Sequence, residues 1–158
     1  MAKQLNLAIL VFLGLLAALT LARADVAPSE PFDLSEYRGQ VVIVDFWASW
    51  CVPCRRSFPW LNAMQQKYAD DGLVVIGVNV DKEPADAAEF LRKYPARFII
   101  TYDTNGSLAI AYGVQGMPSS FVIGRDGNLR DEHLGFKVKR QDDYEAAILA
   151  ALHQDSDE

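Results

Sequence analysis

VVIVDFWASWCVPC, residues 41–54, joins an apolar run to a pair of closely spaced cysteines. Its first four residues are β-branched and apolar, which is typical of a strand buried on both faces of a sheet. After Cys54, apolar side chains recur at a spacing of about 3.6 residues, which predicts a helix that ends near Ala69. The two cysteines are therefore expected where a central strand gives way to a helix.

A position at the start of a helix favours the ionised thiolate form of Cys51. Unpaired N–H groups and the positive end of the helix dipole face the first cysteine and stabilise its thiolate. In Cys-X-X-Cys motifs the pKa of that thiol can fall from about 8.5 into the range ~3.5–7.5. Pro53 lies in the first helical turn, where a missing N–H does no harm. We expect Cys51 to be the attacking thiol and Cys54 to be the resolving thiol.

A metal site or a structural bridge is the alternative reading of two close cysteines. A metal usually needs four ligands, and the two histidines, His133 and His153, are remote in the sequence and are expected at the surface. Redox chemistry is therefore favoured. No cofactor is expected beyond the redox-active Cys51–Cys54 disulfide, and no metal.

The amino terminus has the features of a secretory signal peptide. Lys3 is followed by an almost unbroken apolar run from Leu5 to Leu21, and Ala22-Arg23-Ala24 matches a small-x-small cleavage site. We predict a signal peptide over residues 1–24, a linker over 25–31, one domain over 32–153 and an acidic tail over 154–158. A retained membrane anchor is the alternative, because the apolar run is close to the length that spans a bilayer.

Charge and cysteine usage narrow the function further. Without residues 1–24 the chain keeps 13 basic and 21 acidic residues, a net charge of −8, and such a surface repels nucleic acid. Exported proteins commonly use disulfides as structural bridges. Here both cysteines lie in one motif, so the disulfide is expected to be the working part of the protein.

The rest of the chain predicts an α/β fold. A buried strand is expected at 73–80 and a short strand at 98–102. Helices are expected at 84–94, 108–112 and 144–152, and a hairpin of strands 119–123 and 129–134 around Asp126-Gly127. Strand and helix alternate first and a hairpin follows. The expected sheet is therefore mixed, with helices on both faces.

Two sequence motifs, one following the other along the chain, resemble those of the thioredoxin superfamily. They are Trp50-Cys51-Val52-Pro53-Cys54 after VVIVDFWAS, and Gly116-Met117-Pro118 before SSFVI. The GVNVDKEP stretch and the exported setting look like its TlpA/ResA-like branch of extracytoplasmic thiol-disulfide oxidoreductases. The likeness covers residues 32–153. It implies a thioredoxin fold and exchange of a dithiol with protein disulfides through a mixed disulfide.

The resemblance also implies a substrate surface. Pro118 would be a cis-proline facing the cysteines, so that the Met117 backbone can pair with an extended substrate segment. Trp50 and Pro53 would lie beside it. The alternative for Met117-Pro118 is an ordinary loop entering a strand.

Asp45 is the remaining candidate catalytic residue. Burial among apolar neighbours would raise its pKa, and in thioredoxins an aspartate at this place helps to move the proton of the resolving thiol. Many TlpA/ResA-like sequences have asparagine here and an acid shortly after the second cysteine, where this chain has Ser57. We therefore expect Asp45 alone to take the proton. The alternative is a structural carboxylate satisfied by a neighbouring backbone or Trp N–H.

The direction of electron flow and the partners are expectations only. The resemblance favours a periplasmic reductant that a membrane electron donor keeps reduced, and nothing in the sequence suggests more than a monomer. A copper-handling thiol module is an alternative because thiolates suit Cu(I). A thiol peroxidase on the same fold is another, although Ala48 stands where that family has threonine.

Overall fold

The structure, a computed structural model, describes residues 33–154. The predicted signal peptide, the linker and residues 155–158 of the predicted tail lie outside the described residues. Among residues 33–154, no helix combines the length and the hydropathy that crossing a bilayer requires.

The described residues form one mixed sheet with helices on both faces. The strands are β1 (Val41–Trp47), β2 (Leu73–Asn79), β3 (Ile99–Tyr102), β4 (Ser119–Ile123) and β5 (Leu129–Leu134). The α-helices are α1 (Cys54–Tyr68), α2 (Pro84–Lys93), α3 (Ser107–Ala111) and α4 (Gln141–Gln154), and 3-10 turns cover Ser35–Tyr37 and Val138–Arg140. The predicted α/β class is confirmed.

The strand order is β3-β2-β1-β4-β5. β1 pairs in parallel with β2 and antiparallel with β4, so β1 is central. β2 and β3 are parallel, and β4 and β5 form the predicted antiparallel hairpin. Because parallel strands β1 and β2 end at the same edge of the sheet, the residues that follow each of them come together there.

Local sequence signals account for most element ends. Gly72, with φ of +90°, turns the chain after α1 into β2, and Gly127, with φ of +80°, serves the hairpin turn. Pro84 occupies the first turn of α2. Helix α4 begins at Gln141, three residues before the predicted start at Tyr144, because its first turn is acidic and is stabilised by the helix dipole rather than by apolar packing.

Alternate residues of β1 face opposite sides of the sheet and are buried on both sides. Val42, Val44 and Phe46 pack on the side that α3 covers. Val41 and Ile43 contribute to the core beneath α1 and α4. The last residue of β1 on this second face, Trp47, packs against the cysteines, so the interior leads directly to the candidate site.

Candidate active site at the start of α1

The two cysteines form a disulfide at the point where β1 gives way to α1. Pro53 already has helical backbone angles, with φ of −62°, and α1 begins at Cys54. The backbone N–H of Cys54 donates a hydrogen bond to Sγ of Cys51 at 3.2 Å. The helix terminus thus directs a donor at the sulfur that we predicted to be ionised, which favours its thiolate once the disulfide is reduced.

The site is apolar and unevenly exposed. Cys54 is fully buried and Cys51 retains 3% exposure, because both belong to an apolar cluster with Trp47 and Phe58. In the disulfide form Cys51 is therefore less accessible than predicted. Its neighbour Trp50 is 66% exposed, as expected for a residue of the substrate surface. That role stays a prediction.

The Met117–Pro118 peptide bond is cis, which is the geometry that the resemblance implied. Met117 packs against the cluster that contains both cysteines, while Pro118 is buried. Within residues 33–154, neither the N–H nor the C=O of Met117 has a hydrogen-bond partner. Backbone groups able to pair with an extended chain are therefore available beside the disulfide.

Asp45 lies on the face of β1 that also carries Trp47, and Trp47 packs in the cluster with both cysteines. Asp45 is fully buried. Ser120 Oγ donates to its Oδ1 at 2.5 Å, and within the described residues Oδ2 has no partner. Burial raises the pKa of Asp45 from 3.8 to about 7, an effect that the Ser120 hydrogen bond opposes. This is the direction that we predicted, and within the described residues neither a backbone N–H nor the Trp47 N–H donates to Asp45.

Ser57 is buried at the position where many TlpA/ResA-like sequences have an acid. Its hydroxyl donates to the carbonyl oxygen of Cys54 at 3.2 Å. This bond lies within the first turn of α1 and adds no charge. The role of Asp45 as the acid that serves Cys54 stays a prediction.

Sequence reasoning missed a second buried carboxylate, Asp81, which holds the turn before the cysteines. Its Oδ2 accepts hydrogen bonds from Ser49 N–H at 2.9 Å and Asn79 Nδ2 at 2.8 Å, and its Oδ1 accepts one from Ser49 Oγ at 3.0 Å. The signal was available: polar residues follow β2 at the sheet edge where β1 also ends. Asp81 therefore fixes Ser49, two residues before Cys51.

The predicted surface position of His133 is also wrong. We expected it at the surface, but its side chain is 14% exposed and its ring lies 4.6 Å from that of Tyr144. It faces Ser120 across the β4–β5 hairpin. This contact depends on strand register and side-chain direction together, so no single stretch of sequence carries it. His153 is exposed, as expected.

Comparison with known proteins supports the same reading. The Redoxin family model matches residues 18–148. The crystal structure of a Chlorobium tepidum protein assigned as thiol:disulfide interchange protein DsbE superposes with a TM-score of 0.74 and 49% sequence identity, over 75% of this chain and 84% of that one. StoA from Bacillus subtilis, at 23% identity over 70% of this chain and 83% of its own, shares the fold with a TM-score of 0.60.

Among curated proteins, the thiol-disulfide oxidoreductase ResA of Bacillus thuringiensis subsp. konkukian is 31% identical over 109 residues. The match covers 69% of this chain but 63% of that relative, so the chain spans less than two thirds of its length. Sequence motifs, strand order and site geometry agree with these matches. The chain is a member of the redoxin family, with the thioredoxin fold of the ResA/TlpA-like branch.

Proposed function

We propose that this protein is an extracytoplasmic thiol-disulfide oxidoreductase that exchanges the Cys51–Cys54 pair with protein substrates. One observation carries the proposal: the disulfide lies at the start of α1, with the Cys54 N–H directed at Sγ of Cys51. A structural bridge needs no such donor, whereas an attacking thiolate is stabilised by it. The named relatives, ResA and DsbE, support the same chemistry.

The reaction transfers two electrons between the Cys51–Cys54 pair and a substrate disulfide, so no other electron carrier takes part. In the reducing direction the Cys51 thiolate attacks a substrate disulfide, forms a mixed disulfide and releases one substrate thiolate. Cys54 then gives its proton to Asp45 and attacks Sγ of Cys51, which releases the second substrate thiolate and closes the Cys51–Cys54 disulfide. Asp45 is suited to this step because its pKa is about 7, so that near neutral pH it can both accept and release a proton.

Substrate binding is assigned to the surface around the disulfide. An extended substrate segment would pair with the N–H and C=O of Met117, which lack partners within residues 33–154. Trp50 and Val52, 66% and 54% exposed, offer apolar contact on the other side of the sulfur atoms. Backbone pairing is independent of side chains, so this arrangement suits protein substrates of varied sequence.

We assign the protein to the periplasmic side of the membrane as a monomeric reductant. The signal-peptide features of residues 1–24 support export, and the resemblance of the motifs to the TlpA/ResA-like branch favours a reductant that a membrane donor restores. The direction of electron flow is a question of reduction potential. Titration against glutathione should give about −270 mV or lower for a reductant, whereas a value near −120 mV would identify an oxidant.

The decisive experiment traps the partner. Cys54→Ser keeps the attacking thiol and removes the resolving one, so it should accumulate a mixed disulfide with the natural substrate in periplasmic extract. Cys51→Ser is the matched control and should trap nothing at that position. If reduced wild-type protein leaves insulin disulfides intact and Cys54→Ser captures no protein, the proposed activity is wrong.

A further inference from the structure

The proton that Asp45 receives must leave the interior before the next cycle. Asp45 is 0% exposed, and its cross-strand neighbours are Gly77 on β2 and Ser120 on β4. Gly77 has no side chain that could carry a proton. Ser120 has a hydroxyl group, and it is already bonded to Oδ1 of Asp45. Of these two neighbours, Ser120 is therefore the one through which the Asp45 proton can leave.

Ser120 connects Asp45 to a small, partly open cavity. The cavity leaves about 10 Å³ for the centre of a water molecule, which is about the room that one water needs. Ser120 and His133 supply polar side-chain atoms to its wall, and the rings of Trp60, Phe136 and Tyr144 line much of the remainder. A water held there would lie between a hydroxyl group and an imidazole.

His133 links this cavity to the surface. It is the cross-strand partner of Ser120, which places the two Cβ atoms about 5 Å apart. Nε2 of His133 is buried and makes no hydrogen bond within residues 33–154. Asp131 Oδ2, 3.6 Å away, is beyond hydrogen-bond reach. With 14% exposure, the ring borders both the interior and solvent.

The charged groups around His133 leave it able to relay a proton. Burial is the main cause that lowers its pKa; Asp131 on β5 and Asp143 on α4 oppose this, and Arg140 of the second 3-10 turn adds to it. Tyr144 on α4 packs against the ring. At neutral pH the imidazole is therefore neutral, and a neutral imidazole has one nitrogen that accepts a proton and one that donates.

We propose that Ser120, one water in the cavity and His133 form the path by which Asp45 exchanges its proton with solvent. This inference rests on the proposed role of Asp45 in the reaction. Once Cys54 has protonated Asp45, the Ser120 hydroxyl group turns from Oδ1, to which it donates in this structure, and donates to the water instead. The acid then passes its proton to Ser120 Oγ while the Ser120 hydroxyl proton moves to the water. The water passes a proton to one nitrogen of His133, and the other nitrogen releases one to solvent. No electrons move along this path, and Ser120 and His133 are positioning residues.

The test separates the two chemical steps in one experiment. Reduced protein mixed with 5,5'-dithiobis(2-nitrobenzoate) releases one coloured thiolate when Cys51 attacks and a second when Cys54 resolves the mixed disulfide. Stopped-flow absorbance from pH 5 to pH 9 gives a rate for each phase. We expect the second phase of wild-type protein to rise with a midpoint near pH 7, the pKa of Asp45.

The variants act after the first phase, on the resolution step or on the proton release that follows it. Ser120→Ala removes the donor to Asp45, so the midpoint should move upward by about one pH unit, and Ser120→Thr, which keeps a hydroxyl group, should restore it. His133→Gln keeps hydrogen bonding but cannot take up a proton, so release of the Asp45 proton to weakly buffered solvent, followed with a pH indicator in the same mixing experiment, should slow about tenfold while the first phase is unchanged. His153→Gln is the matched control on the exposed histidine and should match wild type.

The outcomes distinguish this path from the function on which it depends. If Ser120→Ala and His133→Gln both match wild type at every pH while Asp45→Asn slows the second phase, the path is wrong and the role of Asp45 stands. If Asp45→Asn also matches wild type, the role of Asp45 is wrong. If wild-type protein releases only one thiolate, the proposed exchange activity itself fails.

Discussion

Two buried aspartates flank the disulfide and are held in opposite ways. Asp45 is 0% exposed and accepts one hydrogen bond, from Ser120. Asp81 is 4% exposed and accepts three, two from Ser49 and one from Asn79. A buried carboxylate with several donors is stable as an anion, whereas one with a single donor is costly to ionise. This difference fits the proton transfer proposed for Asp45, and the three hydrogen bonds of Asp81 support the active-site turn.

The difference shows how one small domain uses the same residue type for two purposes. Donor number, rather than burial, distinguishes the two carboxyl groups. The four predictions below test this contrast, beginning with the largest expected effect.

Asp45 should make the oxidised protein less stable as the pH rises. Its pKa is 3.8 in the unfolded chain and about 7 in the fold, so the folded state binds the extra proton between these values. The contribution of this group to stability is complete below pH 3.8 and is lost as the pH rises to about 7. A shift of about three units corresponds to at most about 4 kcal/mol.

Asp45→Asn isolates the pH-dependent contribution of Asp45 to stability, because the asparagine side chain does not titrate. Urea unfolding of the oxidised proteins from pH 3 to pH 8 should show wild type losing stability relative to Asp45→Asn across this window. Asp70→Asn, at an exposed position, is the matched control. Parallel stability curves for wild type and Asp45→Asn would contradict the contrast.

Asp81→Ala should destabilise the protein. It leaves two donors of Ser49 and the amide of Asn79 without their acceptor, which should reduce the free energy of unfolding by about 3 kcal/mol. The rate of attack by Cys51 should also fall, because Ser49 lies two residues before it. Urea unfolding and alkylation of Cys51 measure the two effects. A variant as stable as Asp70→Ala would refute the supporting role.

Ser49→Ala removes the hydroxyl donor to Asp81 and keeps the backbone donor. The carboxylate then retains the bonds from Ser49 N–H and Asn79 Nδ2. We expect a loss of about 1 kcal/mol, the ordinary contribution of one hydrogen bond. Ser107→Ala is a useful comparison, since its hydroxyl contacts Asp103 at a longer distance of 3.4 Å. A larger loss for Ser107→Ala would contradict the ranking of these bonds.

The two aspartates should act independently. Asp45 pairs with Gly77 on β2, and Asp81 lies four residues after Gly77 in the chain. Along an extended chain four residues correspond to about 13 Å. The combined effect of Asp45→Asn and Asp81→Ala on unfolding should therefore equal the sum of the separate effects within about 0.5 kcal/mol. A stronger coupling in a double-mutant cycle would mean that one network holds both carboxylates.

Much of this molecule could be predicted from the sequence because its signals are local. The apolar run of β1, the Asp126-Gly127 turn and Pro84 each specify an element through neighbours in the chain, and the structure confirms all three. The cysteine pair and Asp45 stand out for the same reason. A polar side chain directly after an apolar run is visible without any knowledge of register.

The partners of Asp45 and Cys51 could not be found in this way. Ser120 bonds to Asp45 because β4 runs antiparallel beside β1 in one register, and a shift of one residue would turn Ser120 to the other face. Asp81 reaches Ser49 only because β1 and β2 end together. Such contacts join residues far apart in sequence, and their energies depend on register, which composition does not encode.

Arg125 ties the opposite end of the sheet together. Its guanidinium donates to the carbonyl oxygens of Gly39 and Asp71, each at 2.8 Å, and its own carbonyl oxygen accepts from Gly39 N–H. These hydrogen bonds join three loops at the end of the sheet where β1 begins, and the disulfide lies at the opposite end. Immobilising the protein through a site ahead of residue 33 should leave its sulfur atoms turned outward, free to meet partners approaching from solution.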